Sequence, residues 1–354
     1  MSPNAPEHVR KIQHSSATAF LYLFLSLGSQ RSAPCVYTLR STIPIGAGLG
    51  SSATVSVCLS CALLLQIRAL SGPHQDQPPE ESELQIERIN RWAFVGELCI
   101  HGNPSGVDNT VSSGGKAVLF QRKDYSKPPL VKPLRDFPEL PLLLVNTRQS
   151  RSTAVEVAKV ATLKKAHPEI AAHILDAIDR VTKSAHDLIS RGTFDTDRAA
   201  ALKHLGELIT INHGLLVGLG VSHPKLERIR ELIDHAGIGW TKLTGAGGGG
   251  CAITILRPDS AAQAKDSTAL ADLQRKLDEE GFEKFETTLA GDGVGVLWPA
   301  VLQNASGEAG GEEIDQDKFL KAVGNEGIER LVGVAQNEVG DGEAIREGWK
   351  FWRV

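Results

Sequence analysis

The stretch Pro44-Ile-Gly-Ala-Gly-Leu-Gly-Ser-Ser-Ala53 decides how the chain is read. Before it, residues 35–42 read as a strand; after it, an apolar run reads as a helix to about residue 70. Between them stand Gly46, Ala47, Gly48, Leu49 and Gly50, followed by Ser51 and Ser52. Glycines let a backbone turn its N–H groups toward a ligand, and the helix start adds free donors and a partial positive charge. Together they form a cradle suited to a di- or triphosphate. The two serine hydroxyls can cap the helix or reach a magnesium ion. A plain N-cap behind a tight turn is the alternative, and it needs fewer glycines. No Gly-Lys-Ser/Thr follows, so this is not a Walker A loop, and the spacing is not a clean Rossmann fingerprint.

Working outward, residues 84–100 read as a helix on which Glu97 shares a face with Ala93, Phe94 and Ile100. A carboxylate there needs a cation, supplied by a basic side chain or a metal. The loop His101-Gly-Asn-Pro-Ser-Gly-Val-Asp108 is fixed by a proline and two glycines. Held so, Asp108 can take a proton from an alcohol, or it can cap the next short helix. His101 reads as a cap at the helix end. In Asn146-Thr-Arg-Gln-Ser-Arg-Ser-Thr153, Arg148 and Arg151 either clamp a carboxylate or lie on the surface. Gly245-Ala-Gly-Gly-Gly-Gly250 stands between two short predicted strands. Each glycine costs roughly 1 kcal/mol against alanine in regular structure, so the run implies backbone packed against a ligand or another loop.

The 354 residues suit two domains. Hydrophobic residues make up 41% and charged residues 23%, which excludes a mostly disordered chain. Lysine plus arginine is 38 and aspartate plus glutamate 42, a net charge of −4 that argues against nucleic-acid binding. No apolar run reaches the ~20 residues of a membrane span. The odd count of five cysteines reads as free thiols in a reducing compartment, hence the cytoplasm. Residues 11–27 read as a buried helix, residues 123–140 as a proline-rich domain boundary, and residues 303–345 as an acidic, mobile segment around one helix at 317–331.

These motifs carry a resemblance. Residues 44–53 look like the second signature of the GHMP kinases, and Gly245 to Gly250 resembles their third. The Gly96-Glu97 pair with the loop to Asp108, and the segment 146–153, are similar to the mevalonate kinases within that superfamily, and the ending Gly348-Trp-Lys-Phe-Trp352 with the acidic stretch before it resembles those of fungal type. The resemblance implies an α+β, two-domain GHMP kinase fold: residues 1–135 like ribosomal protein S5 domain 2, residues 140–300 ferredoxin-like, and 301–354 an acidic extension. It implies ATP-dependent phosphorylation of (R)-mevalonate in isoprenoid and sterol synthesis, by a homodimer. By the same resemblance Gly46 to Ser52 wrap the ATP phosphates, Ser52 and Glu97 hold Mg2+, Asp108 is the catalytic base, and Thr153 lies close to the substrate. The family's first signature, Pro-Gly-Lys and a later Gly-Glu-His, has no counterpart before Pro44. The resemblance therefore implies an incomplete first domain without that lysine. Loss of one cation at a transferring phosphate costs roughly 10³–10⁵ in rate where arginine fingers are removed. Two rival expectations follow: another GHMP kinase acting on phosphomevalonate or homoserine, or a non-catalytic metabolite-binding protein.

Overall fold

The computed structural model describes residues 6–29, 34–43, 48–122, 124, 126–127, 129–192, 194–258, 268–298, 300–302, 312–332 and 348–354. In chain order they form α1 (Glu7–Leu27), α2 (Ser51–Gln66), α3 (Pro79–His101), α4 (Val107–Gly114), β1 (Ala117–Gln121), β2 (Leu130–Leu134) and β3 (Leu140–Asn146). Then come α5 (Thr153–Ala166), α6 (Pro168–Ser190), α7 (Arg198–Gly218), α8 (Pro224–Ala236), β4 (Gly239–Leu243), β5 (Cys251–Leu256), α9 (Thr268–Glu279) and β6 (Glu283–Leu289). The remainder is β7 (Gly295–Leu297), β8 (Val301–Leu302), β9 (Glu312–Glu313), α10 (Gln316–Lys321), α11 (Gly324–Val332) and β10 (Trp349–Phe351). Two units result: residues 1–44, 50–135 and 292–354 in the first, residues 45–49 and 136–291 in the second.

In the first unit Gly50, at φ 73°, turns the chain into α2. Val57, Cys61 and Leu64 fall on one face of α2 and pack on Ile89 and Ala93 of α3, both wholly enclosed. The helices pass closely at Gly96, where a Cβ would stand 2.8 Å from the Ser56 hydroxyl. That approach is what sets the next residue, Glu97, beside the start of α2. Val294 and Trp352 complete the same cluster, β7 pairs antiparallel with β10, and the Trp352 indole N–H donates to Gln85 Oε1 at 3.0 Å.

The second unit is built on an antiparallel sheet ordered β4-β5-β3-β6. Alternate side chains of β3 point to opposite faces. Leu143 and Val145 join α8 and α9 in one core, and Leu140 and Leu142 join α6 and α7 in another. The strand order and the α8 and α9 layer give the ferredoxin-like pattern, with α6 and α7 covering the face that pattern leaves open.

Three local expectations are corrected. Residues 35–42 form no ladder; Val36 and Leu39 are exposed, and the segment is held instead by Tyr37 against the Phe20 and Phe24 rings and by Arg40 on the carbonyls of Phe319, Leu320 and Ala322. The proline-rich 123–140 contains β2, because Pro133 sits on a strand paired on one side only, where a missing N–H costs no ladder bond. The single helix expected at 317–331 is two, α10 and α11, broken at Ala322 and Val323 ahead of Gly324 at φ 65°. No helix among the described residues is long and apolar enough to cross a membrane.

Candidate active site

In the first unit the expected site residues converge. Ser52, on the first turn of α2, has its hydroxyl 3.3 Å from Glu97 Oε2 and 3.1 Å from His101 Nε2. Glu97 and His101 lie one turn apart on α3, at 4.0 Å. Asp108 meets the same place from α4: a Cβ on Gly50 would stand 3.3 Å from Asp108 Cβ. Gly106, at φ 81°, is the residue before α4, so Asp108 occupies the second helical position and caps nothing; the capping alternative is thereby removed. His101, expected as a mere cap, is a member of the cluster.

Glu97 is buried, and one of its oxygens, Oε1, has no hydrogen-bond partner. Among the described residues its single ion-pair neighbour is His101, and no lysine or arginine among them pairs with it. Burial raises its pKa, opposed by the Ser52 hydrogen bond and by His101, and nearby Asp108 raises it further. Asp108 is open to solvent on one side, yet desolvation on the other raises its pKa, with His101 pulling it down. Two carboxyls with raised pKa values, one of them buried with a bare oxygen, favour a cation at this place. A carboxylate oxygen left bare beside a hydroxyl is a donor set that fits magnesium, which keeps waters and substrate phosphates as its other ligands. A cavity of about 680 Å³ opens in the same unit, lined by Phe94, Asn103, Gly106, Asn109, Arg122 and Lys127 among others.

The second unit holds the other glycine run. Gly245, Gly247, Gly248, Gly249 and Gly250 all carry positive φ, from 58° to 136°. The loop is tied down at every turn. Gly250 O accepts from the Thr147 N–H at 2.9 Å and from its hydroxyl at 2.7 Å, and Gly250 N–H donates to Gln149 O. Gly248 N–H donates to Val221 O at 2.8 Å, and a Cβ there would overlap the buried Glu156 carboxylate. Leu243 N–H donates to Nδ1 of buried His213, which leaves Nε2–H to donate to Glu227 Oε1 at 3.0 Å. Arg151 donates to Thr244 O. This is a scaffold, and the linker alternative does not hold.

Of the expected residues, Ser52, Glu97 and Asp108 come together in the first unit. Gly48 and Leu49 belong to the second, where Gly48 lies against Arg151. Thr153 is exposed at the first position of α5. Gly46 and Ala47 lie outside the described residues. Sequence reading missed Glu156 and His213; nothing in a lone acid on a polar helix or a histidine in an apolar one signals the partner across the fold. His101 could have been found from its four-residue spacing to Glu97.

Residues 16–116 match the GHMP kinases N terminal domain, and residues 198–280 match the GHMP kinases C terminal family. A mevalonate kinase of Gibberella zeae is 66% identical across the whole of this chain, which covers 68% of that relative. One of Aspergillus fumigatus is 67% identical, again across the whole chain, which covers 64% of it. The chain thus spans about two thirds of the length of these curated relatives, 68% and 64%. A crystal structure of Leishmania major mevalonate kinase in complex with R-mevalonate superposes with TM-score 0.61 at 25% identity, covering 82% of this chain and 81% of that one. With both GHMP family models matched and two mevalonate kinases 66% and 67% identical across the whole of this chain, the chain belongs to the mevalonate kinase family of the GHMP kinases.

Proposed function

We propose that this chain transfers the γ-phosphoryl group of ATP to the 5-hydroxyl of (R)-mevalonate, giving ADP and 5-phosphomevalonate. The observation that carries the reading is the meeting of Ser52, Glu97 and Asp108 in one place at the start of α2. In this reading the N–H groups of Gly50, Ser51 and Ser52 at the start of α2 hold the phosphate oxygens, and family resemblance extends that role to Gly46, Ala47, Gly48 and Leu49. Asp108 orients the acceptor hydroxyl and takes its proton as the new O–P bond forms and the bond to the β-phosphate oxygen breaks. Ser52 Oγ and Glu97 Oε1 would hold a magnesium ion, which supplies charge neutralisation along the β- and γ-phosphates. Phosphoryl transfer depends on positioning and charge, and these residues supply both. Thr153 lies near the substrate by family resemblance alone.

The test is ADP release with ATP, Mg2+ and a panel of mevalonate, phosphomevalonate and homoserine. Turnover with mevalonate above the other two is the expected result. Nucleotide binding by calorimetry without turnover on any of them would overturn the catalytic reading in favour of a metabolite-binding one. Family resemblance also supports a cytoplasmic homodimer, checked by light scattering and by microscopy of the tagged protein.

A further inference from the structure

Within the second unit one guanidinium joins two glycine segments that are far apart in sequence. Arg151 Nη1 donates to Thr244 O at 2.9 Å, and Nη2 approaches Gly48 O at 3.5 Å. A Cβ on Gly48 would overlap this guanidinium, and one on Gly245 would stand 2.9 Å from Nη1. Gly48 and Gly245 therefore do two things: they adopt φ of 75° and 58°, and they clear a space for the same cation. The Thr244 end of the contact is immobile. Thr244 N–H and its hydroxyl both donate to Cys251 O, and the preceding N–H is fixed on His213. The Gly48 end is a loop with no such ties among the described residues beyond the arginine.

We propose that Arg151 is a positioning residue, a strap that fastens the Gly48 end of the phosphate loop to the rigid second glycine loop. Its role is to order Gly48 and Leu49 before an anionic nucleotide tail arrives, so that less ordering entropy is lost on binding. The planar fork reaches two carbonyls at once, which a lysine ammonium on a flexible stem does not reproduce. The nucleotide half of this inference rests on the kinase reading above; the strap itself does not.

Two measurements on the full chain test it. Hydrogen exchange without nucleotide is read at the amides of residues 48–50 in wild type and Arg151→Ala. Exchange there rises about tenfold or more while β3 and β5 amides keep their protection; unchanged exchange at 48–50 overturns the strap. Calorimetric titration with Mg2+ and the β,γ-imido analogue of ATP is then compared for Arg151→Ala, Arg151→Lys, Gly48→Ala and the Gly48→Ala/Arg151→Ala double variant. Each single variant weakens binding about tenfold, and the double is no weaker than the weaker single, because both act through one contact. Fully additive losses, or full rescue by lysine, overturn the positioning role. A wild type that binds no nucleotide, with exchange still released in Arg151→Ala, would defeat the kinase reading and leave the strap standing.

Discussion

The cluster at Ser52 and the loop at Gly245 are both polar, both glycine-led, and satisfied to very different degrees. In the loop, backbone groups of Gly248 and Gly250 and the side chains of Thr147, Arg151 and His213 find partners at ordinary distances. In the cluster, Glu97 Oε1 has none, a second carboxyl, Asp108, is near enough to act on Glu97, and both pKa values are raised. Buried polar groups in native proteins are normally paired, so an unpaired one beside a second acid marks a place kept for something that is bound. The satisfied region reads as architecture, and the unsatisfied region is where the proposed phosphoryl transfer is assigned.

That contrast can be broken by substitution, starting where the effect is largest. Asp108→Asn keeps the shape and removes the base; turnover is expected to fall roughly 10²–10⁴-fold, about 3–5 kcal/mol of barrier, with the circular dichroism spectrum unchanged. A variant that retains its rate would show that the cluster's electrostatic tension has no catalytic purpose. Gly248→Ala in the loop acts on folding instead. Its left-handed φ and the overlap with Glu156 are expected to lower unfolding free energy by roughly 2–4 kcal/mol in urea titration. Thr147→Val removes the hydroxyl that donates to Gly250 O and accepts from the Gln149 N–H but leaves the Thr147 N–H in place, so about 1–2 kcal/mol is expected by the same method.

The smallest effect sharpens the comparison because its sign is reversed. Glu97 and Asp108 have raised pKa values, so the folded chain binds their protons more tightly than the unfolded chain does. Their contribution to stability therefore improves as pH falls from neutral through the raised values, and is complete below the ordinary carboxylate range. Glu97→Gln should raise the melting midpoint slightly at neutral pH and flatten this dependence, while impairing magnesium-dependent turnover. A lower midpoint at neutral pH would mean that the carboxylate is stabilised by partners after all.

Much of this was legible in residue order. Glycine spacing around Ser51 and Ser52, the apolar periodicity of α2 and α3, and the constrained loop before Asp108 each report a local event, and local events are what sequence encodes directly. The extended segment at 35–42 was misread because β-propensity says nothing about whether a partner strand stands alongside. β2 was missed because prolines forbid only a central strand, not an edge. His213 and Glu156 were invisible for a different reason: their partners, Leu243 N–H and the turn at Gly248, lie 30 and 92 positions away. The same applies to Arg151, whose alternatives of clamp or surface residue were decided by two carbonyls it meets only after folding.

Trp352 carries a consequence for how the chain is made. It sits in the cluster formed by α2 and α3, while residues 136–291 of the second unit are contiguous except for five residues at 45–49. During synthesis the helices α2 and α3 of the first unit emerge with part of their core unfilled, and wait for an indole that follows only after the whole of residues 136–291. At ~5–20 residues per second the wait from α3 onward lasts on the order of ten seconds or more, during which the second unit's sheet has time to assemble first. The order of emergence and the order of completion therefore run in opposite directions along this chain.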